Sequence, residues 1–134
     1  MTESELVQAA LKVMQPRFGL QALYLFGSRA TGRARAGSDV DLAALVEHAP
    51  EPLDRLQLRQ QLEEEVGEPV DLVILNDASP ILAWQVLRHG RLIHEGCPGV
   101  RANFEMTTIT DYADLKRVRA PAEQALVQRI RDAG

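Results

Sequence analysis

Leu25-Phe26-Gly27-Ser28 closes an apolar run that begins at Leu20, and ten residues later comes Ser38-Asp39-Val40-Asp41-Leu42. In an extended strand, side chains two apart leave the same face, so Asp39 and Asp41 project together while Val40, Leu42 and Ala44 point into a core. Two neighbouring carboxylates repel each other and call for a cation. Hard oxygen ligands with water left over suit Mg²⁺ or Mn²⁺ shared with substrate phosphates, because Mg²⁺ takes only one or two protein carboxylates as a rule. A strand, a Gly-Ser turn and a second strand headed by Asp-x-Asp therefore have the layout of a metal-dependent nucleotidyl-transfer site, with a nucleoside triphosphate as substrate.

The residues around this pair fit that chemistry. Gly27 and Ser28 follow a strand at a turn, where free backbone N–H groups attract anions, glycine allows close approach of the chain, and the serine hydroxyl adds a donor. Taken alone, a Gly-Ser pair is an ordinary strand-ending turn; the aspartates at this spacing give it meaning. Arg29, Arg33 and Arg35 lie between the two halves with no acid among them. Their forks suit phosphate oxygens, and Arg29 and Arg35 are the expected contacts, against the plain alternative of solvated loop arginines. Gly27 and Gly32 have the spacing of a Walker A loop, but Arg33 and Ala34 stand where lysine and a hydroxyl residue are required. Asp71, in Val70-Asp71-Leu72-Val73-Ile74-Leu75, shares a strand face with Val73 and Leu75. It is read as a third metal ligand; an exposed edge acid or an arginine-paired carboxylate is the bland alternative.

Outward from the motif, the pattern alternates. Thr2 and Glu5 form a capping signal for a first helix, with Leu6, Val7, Ala10, Leu11 and Met14 at helical spacing up to Pro16. Strands are expected over 20–26, 40–46 and 70–75, with a short fourth at 91–94. A polar helix should open at Pro50 and Pro52 and run to Val66 before Gly67, and Ser79-Pro80 should start another that stops at Gly90. From about Arg101 the chain turns helical until Pro121 breaks it, with a last helical stretch holding Leu126 and Ile130. The expected fold is α/β (α+β): a single small domain spanning residues 1–134, a mixed sheet of about four strands flanked by helices, and a helical tail over about 101–134 that is a candidate partner-binding segment.

Composition bounds the function. The 134 residues, 46% hydrophobic and 25% charged, make an ordinary globular chain, short for a catalytic domain plus a second substrate domain. No apolar run approaches a membrane span or a secretion signal, so a cytoplasmic location is expected. A net charge of −4 argues against direct, sequence-independent binding to a nucleic-acid backbone. The lone Cys97 reads as structural, and His48, His89 and His94 have no ligand spacing. Trp84 and Phe104 read as packing anchors rather than nucleobase platforms. Residues 111–119, with Tyr112, Lys116, Arg117 and Arg119, give a helix with a basic face, ordinarily a solvated one, which here could meet an acidic partner.

The whole stretch from Leu25 to Leu42 resembles the signature of the DNA polymerase β-like nucleotidyltransferase superfamily, and the resemblance extends over roughly Leu20 to Glu95. The short length is similar to that of minimal nucleotidyltransferases, which are paired with a HEPN-domain toxin as its antitoxin. The resemblance implies that Asp39, Asp41 and Asp71 bind two Mg²⁺ ions and that Gly27 and Ser28 hold the triphosphate of ATP. Thr31 departs from the pattern, since many relatives carry a second arginine there. It further implies transfer of AMP from ATP to a tyrosine hydroxyl of a HEPN ribonuclease toxin. Two other readings stand beside it: an antitoxin that only occludes its toxin, and a nucleotidyltransferase acting on a small molecule such as an aminoglycoside.

Overall fold

The computed structural model describes residues 2–27 and 39–133 and, within the last helix, not the side chains at positions 119, 120, 122, 123, 132 and 133. In chain order the elements are α1 (Glu3–Phe18), β1 (Leu20–Phe26), β2 (Val40–Val46), α2 (Pro52–Val66), β3 (Val70–Ile74), a 3₁₀ turn (Leu75–Asp77), α3 (Pro80–His89), β4 (Arg91–Glu95) and α4 (Pro98–Ala133). The strands form one sheet in the order β3-β2-β1-β4. β1 runs antiparallel to both β2 and β4, and β2 runs parallel to β3. The mixed four-stranded sheet read from the sequence is the observed one.

Alternation along the strands, interrupted in β1 by a register shift between Leu20 and Ala22, feeds two apolar layers. Leu23 and Leu25 of β1 and Val40, Leu42, Ala44 and Val46 of β2 face one way. They pack with Leu6, Ala10, Met14 and Phe18 of α1 and with Leu58, Leu62 and Val66 of α2. Ala22, Tyr24, Ala43 and Leu45 face the other way, against Val86 of α3 and the half-buried Phe104 of α4. Fully burying a leucine or valine is worth about 1.5–3 kcal/mol. The first layer, with the larger set of such side chains, is therefore the main source of stability.

α4 is fastened to the sheet by polar groups. The Tyr24 hydroxyl donates to Glu105 Oε1 at 2.7 Å, and Arg101 lies 2.9 Å from Glu105 Oε2 and 2.7 Å from Glu95 Oε2. Burial first, and then the hydrogen bond to the Glu105 carboxylate, push the Tyr24 hydroxyl far above its ordinary pKa, so it stays a donor. Tyr24→Phe should therefore cost only about 1 kcal/mol, because Glu105 keeps its arginine. Chemical denaturation would read it as a lowered midpoint with an unchanged slope. Trp84 and Tyr112 stack at 4.8 Å with planes 12° apart, tying α3 to α4, and Phe104 packs against the second layer. Both aromatics are anchors, as read from the sequence.

The sequence reading needs correction at three boundaries. α1 continues two residues past Pro16 because the buried Phe18 holds its last turn; Gly19, at φ 70°, then ends it, its N–H donating to Gln15 and Met14 carbonyls. β3 stops at Ile74, not Leu75. There Asn76 takes over as the partner of Val46, accepting from its N–H at 3.0 Å and donating to its carbonyl at 2.6 Å. Pro121 does not break the last helix: α4 is one helix of 36 residues, opened by Pro98 in its first turn. A proline inside a helix removes one backbone bond at a cost of about 3 kcal/mol, but its φ is helical, and Ala120, Ala122 and Ala125 around it are the strongest helix formers. Among the described residues, no helix is long and apolar enough to cross a membrane.

Candidate active site

Strand register brings the carboxylates together. Asp41 is the Cα partner of Asp71 in the parallel β2/β3 pair and of Phe26 in the antiparallel β1/β2 pair. Asp39 precedes β2 by one residue and Asp71 is the second residue of β3, so all three acids cluster where these parallel strands begin. Neighbouring strands lie about 4.8 Å apart, which places Asp41 and Asp71 side by side on one sheet face. That face is the one covered further along by α3 and α4, since Ala43 and Leu45 belong to the second layer. Asp39 and Asp71 are exposed and Asp41 is half-buried. The exposed Asp71 on an edge strand avoids the burial cost that its apolar neighbours would impose.

The carboxylates sense one another. Partial burial first, then the charges of Asp71 and Asp39, raise the pKa of Asp41 above the ordinary aspartate value. A shift of that origin means that the ionised site is electrostatically uphill and would be relieved by a cation. Among the described residues, no three acidic, histidine or cysteine side chains are drawn tightly enough to coordinate one ion as they stand. What the register fixes is their neighbourhood and common direction, and an all-carboxylate donor set fits a hard divalent ion such as Mg²⁺ or Mn²⁺.

The Gly-Ser turn meets the acids directly. Gly27 ends β1 with φ 74°, a left-handed conformation that favours glycine. A Cβ placed on it would lie 2.2 Å from Asp41 Oδ2 and 3.0 Å from Asp41 Cγ. The Asp41 carboxylate thus rests against the backbone of the turn, and glycine is needed there twice, for its backbone angle and for the space. Ser28, Arg29 and Arg35, the other expected phosphate contacts, lie outside the described residues, as do Thr31 and Arg33.

One feature of the site was not read from sequence. Gly90 packs tightly against the Leu25 carbonyl and Phe26, at 3.2 Å each from a built Cβ, so the end of α3 meets the end of β1. Arg88 and His89 are thereby carried to the sheet end that holds Gly27. Only the β1/β4 pairing, which sets Arg91 opposite Leu25, reveals this, and no local motif signals it. Cys97 is free and half-buried, in keeping with a structural thiol.

Comparison with known proteins agrees with this geometry. The model of the Polymerase beta nucleotidyltransferase family matches residues 8–96. Protein adenylyltransferase MntA of Shewanella oneidensis is 35% identical over 111 residues, covering 83% of this chain and 76% of that protein. A crystal structure of a toxin-antitoxin with AMP-PNP superposes with a TM-score of 0.79 at 30% identity, over 97% of this chain and 98% of that one. A complex of tri-AMPylated Shewanella oneidensis HEPN toxin with MNT antitoxin gives a TM-score of 0.74 at 28% identity, over 96% and 98% of the two chains.

Proposed function

The chain belongs to the Polymerase beta nucleotidyltransferase family, and from that premise we propose that it is an antitoxin adenylyltransferase, moving AMP from ATP to a tyrosine hydroxyl of a HEPN-domain toxin. The observation that carries this reading is the contact of the Asp41 carboxylate with the Gly27 turn, beside Asp71 in register. A phosphate cradle and a cluster of acids are thereby joined at one point. The likeness to MntA and to the HEPN toxin complexes supports the choice of a protein acceptor over a small molecule.

Asp39, Asp41 and Asp71 would hold two Mg²⁺ ions, which supply charge neutralisation at the triphosphate and a lowered pKa at the attacking hydroxyl. The residues do the rest. The Gly27 turn, with Ser28 and Arg29 or Arg35, binds the phosphates and sets the α-phosphorus in line with the acceptor. The tyrosine oxygen forms a bond to the α-phosphorus as the bond to the bridging oxygen breaks, and pyrophosphate leaves. Asp71, exposed at the sheet edge, would accept the hydroxyl proton. Occlusion alone would have no use for a carboxylate held at raised energy against a glycine turn.

Asp71→Asn should separate binding from chemistry. Asp39 and Asp41 would serve both ions and Asp71 only the one at the acceptor, so ATP affinity should stay within about threefold while transfer falls by roughly 10³, the scale of losing a group that acts mainly in the transition state. Titration calorimetry with single-turnover kinetics would check it, and an equal loss of both would assign Asp71 to substrate binding.

The function itself is tested by turnover. A HEPN-domain protein from the same genome is incubated with a small fraction of its molar amount of this chain, ATP and Mg²⁺, and then separated. The expected result is lasting suppression of its ribonuclease activity and AMP on a tyrosine by mass spectrometry. Full recovery with an unmodified mass would overturn the enzymatic reading in favour of occlusion.

A further inference from the structure

The buried stripe of α4 continues beyond the body of the protein. Thr108 is buried and Tyr112 and Leu115 are half-buried, and helical spacing carries the same stripe on through Val118, Leu126 and Ile130. Past Leu115 every described side chain is exposed, with Val118 at 76%, Leu126 at 57% and Ile130 at 64%. Residues 116–133 would extend about 27 Å as a helix. An isolated helix of that length is marginal in water, and Pro121 weakens it further. Such a segment gains most from a surface that covers its stripe.

Charge selects the occupant. After Leu115 the chain carries Lys116, Arg117, Arg119, Arg129 and Arg131 against only Glu123 and Asp132, whereas the preceding residues hold ten basic groups against seventeen acidic ones. Two such tails would repel each other, which disfavours a second copy. An apolar groove with an acidic rim on another protein complements both the stripe and its flanks, in the manner of a helix laid into a groove by anchors at spacings of three and four.

We propose that residues 115–130 of α4 are the docking element for the acceptor protein, seated in an apolar groove with an acidic rim. This rests on the adenylyltransferase reading for the identity of the acceptor, and it is tested apart from it. The full chain, Leu126→Glu with Ile130→Glu, and Arg129→Glu with Arg131→Glu are each titrated with the HEPN-domain protein from the same genome and, separately, with ATP and Mg²⁺. Both double variants should weaken the protein complex by roughly tenfold or more, as removal of central anchors does, and leave ATP binding as in the parent. The charge reversal should lose most at low salt. Wild-type affinity for the HEPN-domain protein in both variants would overturn the proposal, as would no complex with the parent chain. Self-association of the parent that the variants abolish, or binding to anionic vesicles, would assign the stripe to a second copy or a membrane instead. Loss of ATP binding by the parent itself would strike at the enzymatic reading and leave the docking result to be judged alone.

Discussion

Asp41→Asn should abolish adenylyl transfer, by about 10³ or more, and at the same time raise the melting temperature of the metal-free protein. The two effects have one cause. Partial burial and the charges of Asp71 and Asp39 raise the pKa of Asp41 in the folded protein, so its ionised form opposes folding. The sign follows from proton uptake: between the unfolded and the raised folded pKa the native state binds the extra proton, and stability falls as pH rises through that interval. Above that interval the penalty is complete, and the neutral asparagine removes it. Added Mg²⁺ should stabilise the parent and do much less for the variant. Thermal melts across pH, with and without Mg²⁺, would read all of this. A variant that is less stable than the parent without metal, and equally responsive to Mg²⁺, would show that the carboxylates do not share a site.

Gly27→Ala should damage the site twice over, through backbone strain and through a direct clash with Asp41. A non-glycine residue in the left-handed region costs about 1–2 kcal/mol, and Gly27 sits there at φ 74°. The added Cβ would also fall 2.2 Å from Asp41 Oδ2, a distance no contact tolerates, so the carboxylate must be displaced. Gly67 provides the control. It has φ 77° with nothing within 4 Å of a built Cβ, so Gly67→Ala carries the backbone strain without the clash. Both variants should lose stability, but only Gly27→Ala should also lose Mg²⁺-dependent ATP binding, by about tenfold or more. Equal ATP affinity in the two variants would mean that the contact between turn and carboxylate has no part in binding substrate.

Much of this arrangement was legible from residue order. The alternation in Val40-Asp41-Leu42-Ala43-Ala44 fixes which side chains enter the first layer, and the structure buries Val40, Leu42 and Ala44 there while Asp41 points the other way. Asp71 was readable as an acid on the face shared by Val73 and Leu75. That it stands opposite Asp41 depends on the parallel pairing of β2 with β3, which is non-local and leaves no mark at either position. The same holds for Gly90 against Phe26, and for Asn76 replacing a strand residue beside Val46. Pro121 misled for a local reason, since a single lost backbone bond is weaker evidence than the alanines around it. Ser28, Arg29 and Arg35 stand as readings of the sequence alone.

We propose that the acids and the Gly27 turn direct attack to the α-phosphorus of ATP. This is tested most directly by following label from ATP into a HEPN-domain protein from the same genome, in parallel reactions with α-³²P and γ-³²P nucleotide and Mg²⁺. Only the α-label should become bound to the protein, the γ-label should leave as pyrophosphate, and Asp41→Asn should abolish both signals. Transfer of the γ-label, or retention of the α-label by the Asp41→Asn variant, would contradict it.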